Sequence, residues 1–258
     1  MRIRLHINKS VHENAAEYYE LAKEARKKRE GLVKAIEETK KEIDAAKKKQ
    51  GAEKKAVKVK REKQWFEKFH WFTTSGGRLA VGGRSAQQND LLFAKHMDEG
   101  DLFFHADIQG GSAIILKDGT NADGQEFLEC AQFAASLSNA WKNANAAVDV
   151  YCVKKSQVSK HSHGGYIASG AFAITGEREW FRSTRLGVRV GIENATGHPE
   201  IIPAVSKRAL HSEIVLLPSA SGKEKGALAK ILAKKLNVHP DELLEILPNG
   251  KSKAAGKS

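Results

Sequence analysis

Residues Trp65–Ser112 read WFEKFHWFTTSGGRLAVGGRSAQQNDLLFAKHMDEGDLFFHADIQGGS, and the alternation in this stretch decides the fold. Aromatic and polar residues alternate from Phe69 to Thr74, Ser75-Gly76-Gly77 breaks the run, and the alternation resumes from Arg78 to Val81. Strand side chains point to opposite faces with a period of two. The pattern therefore predicts a β-hairpin with a glycine turn. Its second strand ends at Gly82-Gly83-Arg84, and the polar run Ser85–Asp90 that follows reads as loop. Gly100–Asp107 is another short strand, with His105 and Asp107 at its exit and spaced to share one face. Polar groups gathered at glycine-rich strand ends mark where a site is expected.

Upstream of this stretch the chain is a basic rod. Ser10 to Lys49 is predicted as one long helix, opened by a capping box of Ser10 and Glu13. Tyr18, Ala22, Ala25, Arg29, Leu32, Ile36, Thr39, Ile43 and Ala46 recur with four-three spacing, a heptad seam that Arg29 and Thr39 weaken. Gly51 is expected to interrupt the rod, with a second helix from Ala52 to about Phe69. Glu17 to Gln64 carries 17 Lys/Arg against 10 Asp/Glu. Such a face either is solvated, with i,i+4 pairs such as Glu24–Lys28 and Glu30–Lys34, or meets a polyanion.

The whole chain has 258 residues, Lys+Arg 43 against Asp+Glu 31, and a formal net charge of +12. A polyanionic partner follows, with RNA, DNA and an acidic membrane surface as the candidates. No stretch is apolar enough to span a membrane, and the opening residues lack the apolar segment of a signal peptide. Neither Cys130 nor Cys152 belongs to a Cys-x-x-Cys pair, so both read as buried thiols in a reducing cytosol and no structural zinc is expected. The expected setting is cytoplasmic, without a membrane partner and without a cofactor.

Downstream, strands are predicted over Gly111–Leu116, Val148–Val153, Ile167–Thr175 and Leu186–Ile192, the last introduced by the basic run Arg178–Arg185. Asp123 and Glu126 form a second capping box before a helix whose apolar face runs from Phe127 to Trp141. Trp65, Trp71 and Trp141 read as core. Beyond Glu193 the expectation is a helix over Pro203–Leu210, a strand over Glu213–Leu217, a helix capped near Ser221 and running through Leu236, and a short helix from Pro240. The fold class is α+β: a basic coiled-coil segment over residues 1–64, a mixed α+β domain over 65–192, a small βα extension over 193–250, and an unstructured basic tail over 251–258.

Four segments, WFEKFHWF, GGRSAQQN, GDLFFHAD and QVSKHSHGGYIASGAFAITG, resemble in order the RNA-binding domain of the NFACT family. The likeness runs from about Ser10 to Gly250, including the charged helix and the C-terminal extension, which resembles archaeal members. It leaves out that family's large N-terminal domain and helix-hairpin-helix segment, so a solitary module or a fragment is expected. The family acts in ribosome-associated quality control, on large ribosomal subunits that still hold a tRNA and a stalled chain. The resemblance therefore implies tRNA or large-subunit rRNA as partner, and binding without independent chain elongation. In the second segment Ser85 stands where family members carry Asp.

Candidate binding residues follow from their chemistry. Arg84 grips phosphate bidentately, and Gln88 and Asn89 offer carboxamides to bases or ribose hydroxyls. The competing reading makes Arg84 an internal partner of Asp107. His105 and Asp107 are expected to share a hydrogen bond that shapes the site rather than to hold a metal. Gln157, Ser159, Lys160 and Gly165 place an amide, a hydroxyl and an ammonium on a glycine-bounded loop suited to ribose and phosphate. SASGKEKG (Ser219–Gly226) lacks the spacing of a phosphate loop, and no nucleophile arrangement appears, so no catalytic role is expected. Two readings of other classes stay open: an RNA-modifying enzyme built on His105, Asp107, His161 and His163, and a coiled-coil interaction protein whose basic rod binds an acidic protein partner. The same coiled coil could also self-associate or take a partner helix.

Overall fold

The computed structural model describes residues 4–52, 64–162 and 165–255. Contacts divide the chain into two units, Met1–Glu62 and Lys63–Ser258. In the first, helix α1 spans Val11–Ala52. The predicted box is formed: the Ser10 amide donates to Glu13 Oε2 at 2.7 Å and the Glu13 amide to Ser10 Oγ at 3.3 Å. Buried Asn14 folds the preceding residues back, accepting from the His6 amide and donating to the carbonyls of His6, Lys9 and Ser10. Gly51 does not end the helix, and most of the second helix expected over 52–69 lies outside the described residues.

The second unit is built on a six-stranded antiparallel sheet. Its strands are β1 (His70–Thr73), β2 (Leu79–Gly82), β3 (Leu102–Ala106), β4 (Ile114–Leu116), β5 (Ala147–Lys154) and β10 (Glu179–Arg185). They lie side by side in the order β1-β2-β4-β3-β5-β10. Period-two alternation gives the sheet two buried faces. Leu102, Phe104, Ile114, Leu116, Val150 and Cys152 face helix α3 (Gly124–Ser136) and the C-terminal elements. Phe103, Ile115, Tyr151 and Val153 face the other way, toward Leu92 of helix α2 (Ala86–His96) and Phe172. A second sheet is made of β11 (Val188–Ile192), β12 (Pro199–Pro203), β13 (His211–Lys223) and β14 (Ser252–Ala254), in the order β12-β11-β13-β14. Short pairs β6 (Val158–Ser159) with β9 (Ala173–Ile174) and β7 (His161–Ser162) with β8 (Gly165–Tyr166) complete the strands. Helices α5 (Lys225–Leu236) and α6 (Pro240–Ile246) bury Leu228, Leu232, Leu236 and Leu243 in the core shared with α3.

The hairpin and both capping boxes form where they are expected, and the fold is α+β. Several elements differ. Ser85–Asp90 is not loop but the start of α2: Ser85 Oγ accepts from the Gln88 amide, and Gln88 Oε1 accepts from the Arg84 amide at 2.9 Å. The helix expected to reach Trp141 stops at Ser136, and α4 (Asn139–Lys142) restarts it, with Ser138 as N-cap. Of Ile167–Thr175 only Ala173–Ile174 is strand. The loop before it is held by Asp90, which accepts from Ser169 Oγ at 2.8 Å and the Gly170 amide at 3.0 Å.

The basic run Arg178–Arg185 is itself an edge strand rather than a lead-in. No helix covers Pro203–Leu210, because Pro199–Pro203 pairs with β11 and Arg208 bonds Glu200 and the Thr73 carbonyl. The boundary expected at 192 cuts a sheet, since β11 pairs with both β12 and β13. The start of the expected tail is a strand: β14 pairs with β13, and buried Ser252 accepts from Trp141 Nε1 at 3.0 Å. Trp141 is core as expected, whereas Trp65 is 39% exposed and stacks on His96 at 4.1 Å.

Candidate nucleic-acid interface

A glycine-lined cleft of about 620 Å³ opens beside the hairpin's open end. Gly83, Gly110, Gly111 and Gly170 line it together with Arg84, Asn89, His105, Ser138, Asn139, Tyr151 and Phe172. Backbone crowding explains two of the glycines. A Cβ on Gly83 would lie 2.1 Å from Asn89 Oδ1. One on Gly110, which has φ +81, would lie 2.1 Å from Asn139 Nδ2. Glycine walls leave backbone amides close to anything that enters.

Arg84 reaches the cleft half-buried. Its Nη2 donates to the Phe69 carbonyl at 3.0 Å, and no bond joins it to Asp107, so the internal Arg84–Asp107 pair does not form. Burial pulls its pKa below the usual arginine value, with the charge of Glu245 acting the other way. Asn89 is buried and structural: its Oδ1 accepts from the Ala113 amide at 3.3 Å, and its Nδ2 donates to the Gly111 carbonyl at 3.5 Å. Gln88 lies behind Arg84, with its amide nitrogen on the Lys68 carbonyl at 3.3 Å.

His105 sits between the Phe103 and Tyr151 rings, with centroids 6.1 and 5.8 Å away. Burial lowers its pKa, partly offset by backbone bonding and the charge of Asp107. The expected His105–Asp107 hydrogen bond is not made, because β3 ends at Ala106 and Asp107 turns out to solvent. Among the described residues no cluster of His, Cys, Asp and Glu could hold a metal. His163 lies outside them.

Gln157, Ser159, Lys160 and Gly165 do not line the cleft. Gln157 is bonded to the Lys154 amide and to the carbonyls of Thr175 and Glu177. Ser159 bonds the backbone of His161, and Gly165 pairs with Ser162. Lys160 acts at one remove: its ammonium meets Asp90 at 2.7 Å and the Ala171 carbonyl at 2.7 Å, above the Phe172 ring. It therefore clamps the loop that forms the cleft wall.

One cluster is not among the residues that the sequence singles out. Arg178 lies 4.7 Å from the Tyr151 ring and 5.8 Å from Trp180, and the Arg182 guanidinium lies 3.8 Å from Trp180. These residues stand at i, i+2 and i+4, so a strand puts them on one face. The signal is the spacing, which becomes legible once the basic run is taken as strand. Tyr151 joins this arginine–tryptophan ladder to the cleft.

The profile of the NFACT protein RNA binding domain matches residues 68–176. An archaeal Rqc2 homolog, aRqcH of Methanocaldococcus jannaschii, is 39% identical over 199 residues, covering 75% of this chain and 30% of that protein. A ribosome quality control complex subunit NEMF homolog of Drosophila melanogaster is 36% identical over 182 residues, covering 67% of this chain and 18% of that protein. The C-terminal structure of a fibronectin/fibrinogen-binding protein from Streptococcus suis aligns with TM-score 0.40 and 22% identity over 69% of this chain and 78% of that one. The chain thus spans under a third of the length of these curated relatives. Residues 68–176, which contain the hairpin, α2 and most of the cleft, are an NFACT protein RNA binding domain.

Proposed function

We propose that this chain is an RNA-binding module of ribosome-associated quality control, which holds tRNA or large-subunit rRNA on stalled ribosomal complexes in the cytoplasm. The observation that carries the reading is the coincidence of the NFACT RNA-binding match with the glycine cleft. The RNA backbone runs along the cleft toward Arg84, and the ladder of Arg178, Trp180 and Arg182 offers cations and a ring for stacking. Asn89 and Gln88 shape the cleft, and Lys160 fixes its wall. Gln157, Ser159 and Gly165 contribute at the neighbouring loop, and His105 and Asp107 at its floor and rim. The role is binding rather than catalysis.

The basic helix α1 adds phosphate-binding cations. Leu32, Ile36 and Ile43 on α1 are 64%, 53% and 47% exposed, which favours self-association or a partner helix along that seam.

The test is fluorescence anisotropy with tRNA and an rRNA fragment across a salt series. Replacing one phosphate-binding cation by a neutral residue should flatten the log–log slope by about 0.7–0.9. Trp180→Ala should weaken RNA binding by about 1–3 kcal/mol, and removal of residues 1–60 should lower both affinity and slope. RNA binding that ignores Trp180, Arg182 and the rod alike would remove this interface.

A further inference from the structure

Half-buried cations in the second unit are, as a rule, neutralised. Arg78 meets Glu126 at 2.7 Å, Lys117 meets Asp98 at 2.6 Å, Lys160 meets Asp90 at 2.7 Å, Arg189 meets Glu213 at 2.9 Å, and Arg208 meets Glu200 at 2.8 Å. Arg178 lies over two aromatic rings instead. Arg84 and Lys225 break the rule. Both are half-buried, and among the described residues neither has a carboxylate oxygen within 4.0 Å.

The two cations stand at one end of the glycine cleft. Arg84 lines it directly. The Lys225 ammonium donates to Asn249 Oδ1 at 3.0 Å, and Asn249 lines the same cleft. Beside them, His70 of β1 is only 7% exposed, and among the described residues its buried Nδ1 has no hydrogen-bond partner. The buried Nε of Arg84 has none either. The charges of Arg84 and Lys225 both act on the His70 ring, and that of Arg84 acts on Lys225, so the three groups share one field. Lys225 also opens α5, whose N-cap Glu224 makes no side-chain capping bond. The first-turn amides of α5 therefore add to the positive end of the helix. Glu245 is the acidic group whose charge reaches Arg84, but it is exposed and forms no ion pair with it.

Uncompensated, partly buried cations beside an unpaired imidazole nitrogen are costly unless an anion joins them. We propose that Arg84, Lys225 and His70 form an oxyanion subsite that takes one phosphate group at this end of the cleft. Arg84 is already fixed by its bond to the Phe69 carbonyl and keeps a buried Nε–H to be satisfied. Lys225 supplies a second positive charge. His70, neutral with its proton on Nδ1, donates to a third oxygen. Two cations and a neutral donor suit a phosphate dianion, with two charges and at least three terminal oxygens, better than a carboxylate. A diester would engage them through its two terminal oxygens and an ester oxygen. Only the owner of the phosphate rests on the RNA reading, because an RNA phosphate and free phosphate share this chemistry.

The probe is inorganic phosphate on the intact 258-residue chain, with thermal melts compared in phosphate and chloride at equal ionic strength. Phosphate should raise Tm by about 2–4 °C over chloride. That increment should vanish in Lys225→Gln and in Arg84→Gln and persist in Lys225→Arg, whatever each variant's own Tm. The His70 ring signals in NMR should shift with phosphate in the unmodified chain and not in Lys225→Gln. An equal increment in the chain and both Gln variants, or none in the chain, overturns the subsite.

Competition then assigns the owner. Phosphate that weakens tRNA binding beyond matched chloride identifies an RNA phosphate, whereas independent binding of the two identifies free phosphate. Both results keep the subsite. Tight tRNA binding without any phosphate increment defeats this proposal alone. A phosphate increment without tRNA binding defeats the RNA reading alone.

Discussion

The two ends of the β1–β2 hairpin are made from the same short strands and are built to opposite standards. At the turn, polar groups are saturated. Buried Glu126 bonds Thr74 Oγ1 and Arg78, and buried Glu129 accepts from the Ser75 amide and hydroxyl. The turn is packed so closely that a Cβ on Gly76 would lie 2.4 Å from Glu126 Cδ. At the open end, among the described residues, buried His70 Nδ1 and Arg84 Nε have no partner and Arg84 meets no carboxylate. Satisfied buried polar groups make scaffold, and unsatisfied ones beside a cleft mark a place where something else binds.

The largest effect should come from the closed end. Glu126→Ala leaves Arg78 facing α3 without its buried carboxylate and should cost about 3–5 kcal/mol, read as a lower urea midpoint. A loss below about 1 kcal/mol would mean that the turn is not the staple described, and the contrast between the ends would weaken.

The open end should behave the other way. Arg84→Ala should weaken tRNA binding by about 1.5–3 kcal/mol, more than ten-fold, with Tm held or raised. Arg84→Lys should recover only part of the affinity, since an ammonium lacks the planar fork. A fall in Tm with affinity intact would make Arg84 scaffold, like its counterpart Arg78.

The smallest effect per step is acid sensitivity. Burial, followed by the charges of Arg84 and Lys225, pushes the His70 pKa down from 6.5 to about 3. The unfolded chain therefore binds the proton first. The His70 contribution to stability is complete above pH 6.5 and is lost as pH falls toward 3, at up to about 1.4 kcal/mol per pH unit. Denaturant melts of the chain and of His70→Leu should diverge in slope across that window, and parallel curves would remove His70 from the charged pocket.

Legibility followed the range of the interactions. The hairpin, the Ser10 and Asp123 boxes and the short helix at Pro240 are all legible because their signals lie within a few residues. The start of α2 is equally local, a Ser85 cap on the Gln88 amide, yet the neighbouring glycines and polar run disguise it as loop. In β10 the charges that make Arg178–Arg185 look like a connector are those of an edge strand, where positive residues discourage further pairing.

The candidate site was legible as chemistry and not as geometry. Arg84, Asn89 and His105 do line one cleft, but Gln157, Ser159 and Lys160 turn inward to backbone and Asp90. Asn249, held by Lys225, reaches the same cleft from a distant part of the chain. By itself the sequence determined the α+β class, the basic character and the local turns and caps, because alternation, charge and capping act between near neighbours. Only the tertiary structure decided which polar atoms are consumed by the fold and which are left over, because each of those bonds depends on a partner brought close by packing between distant segments.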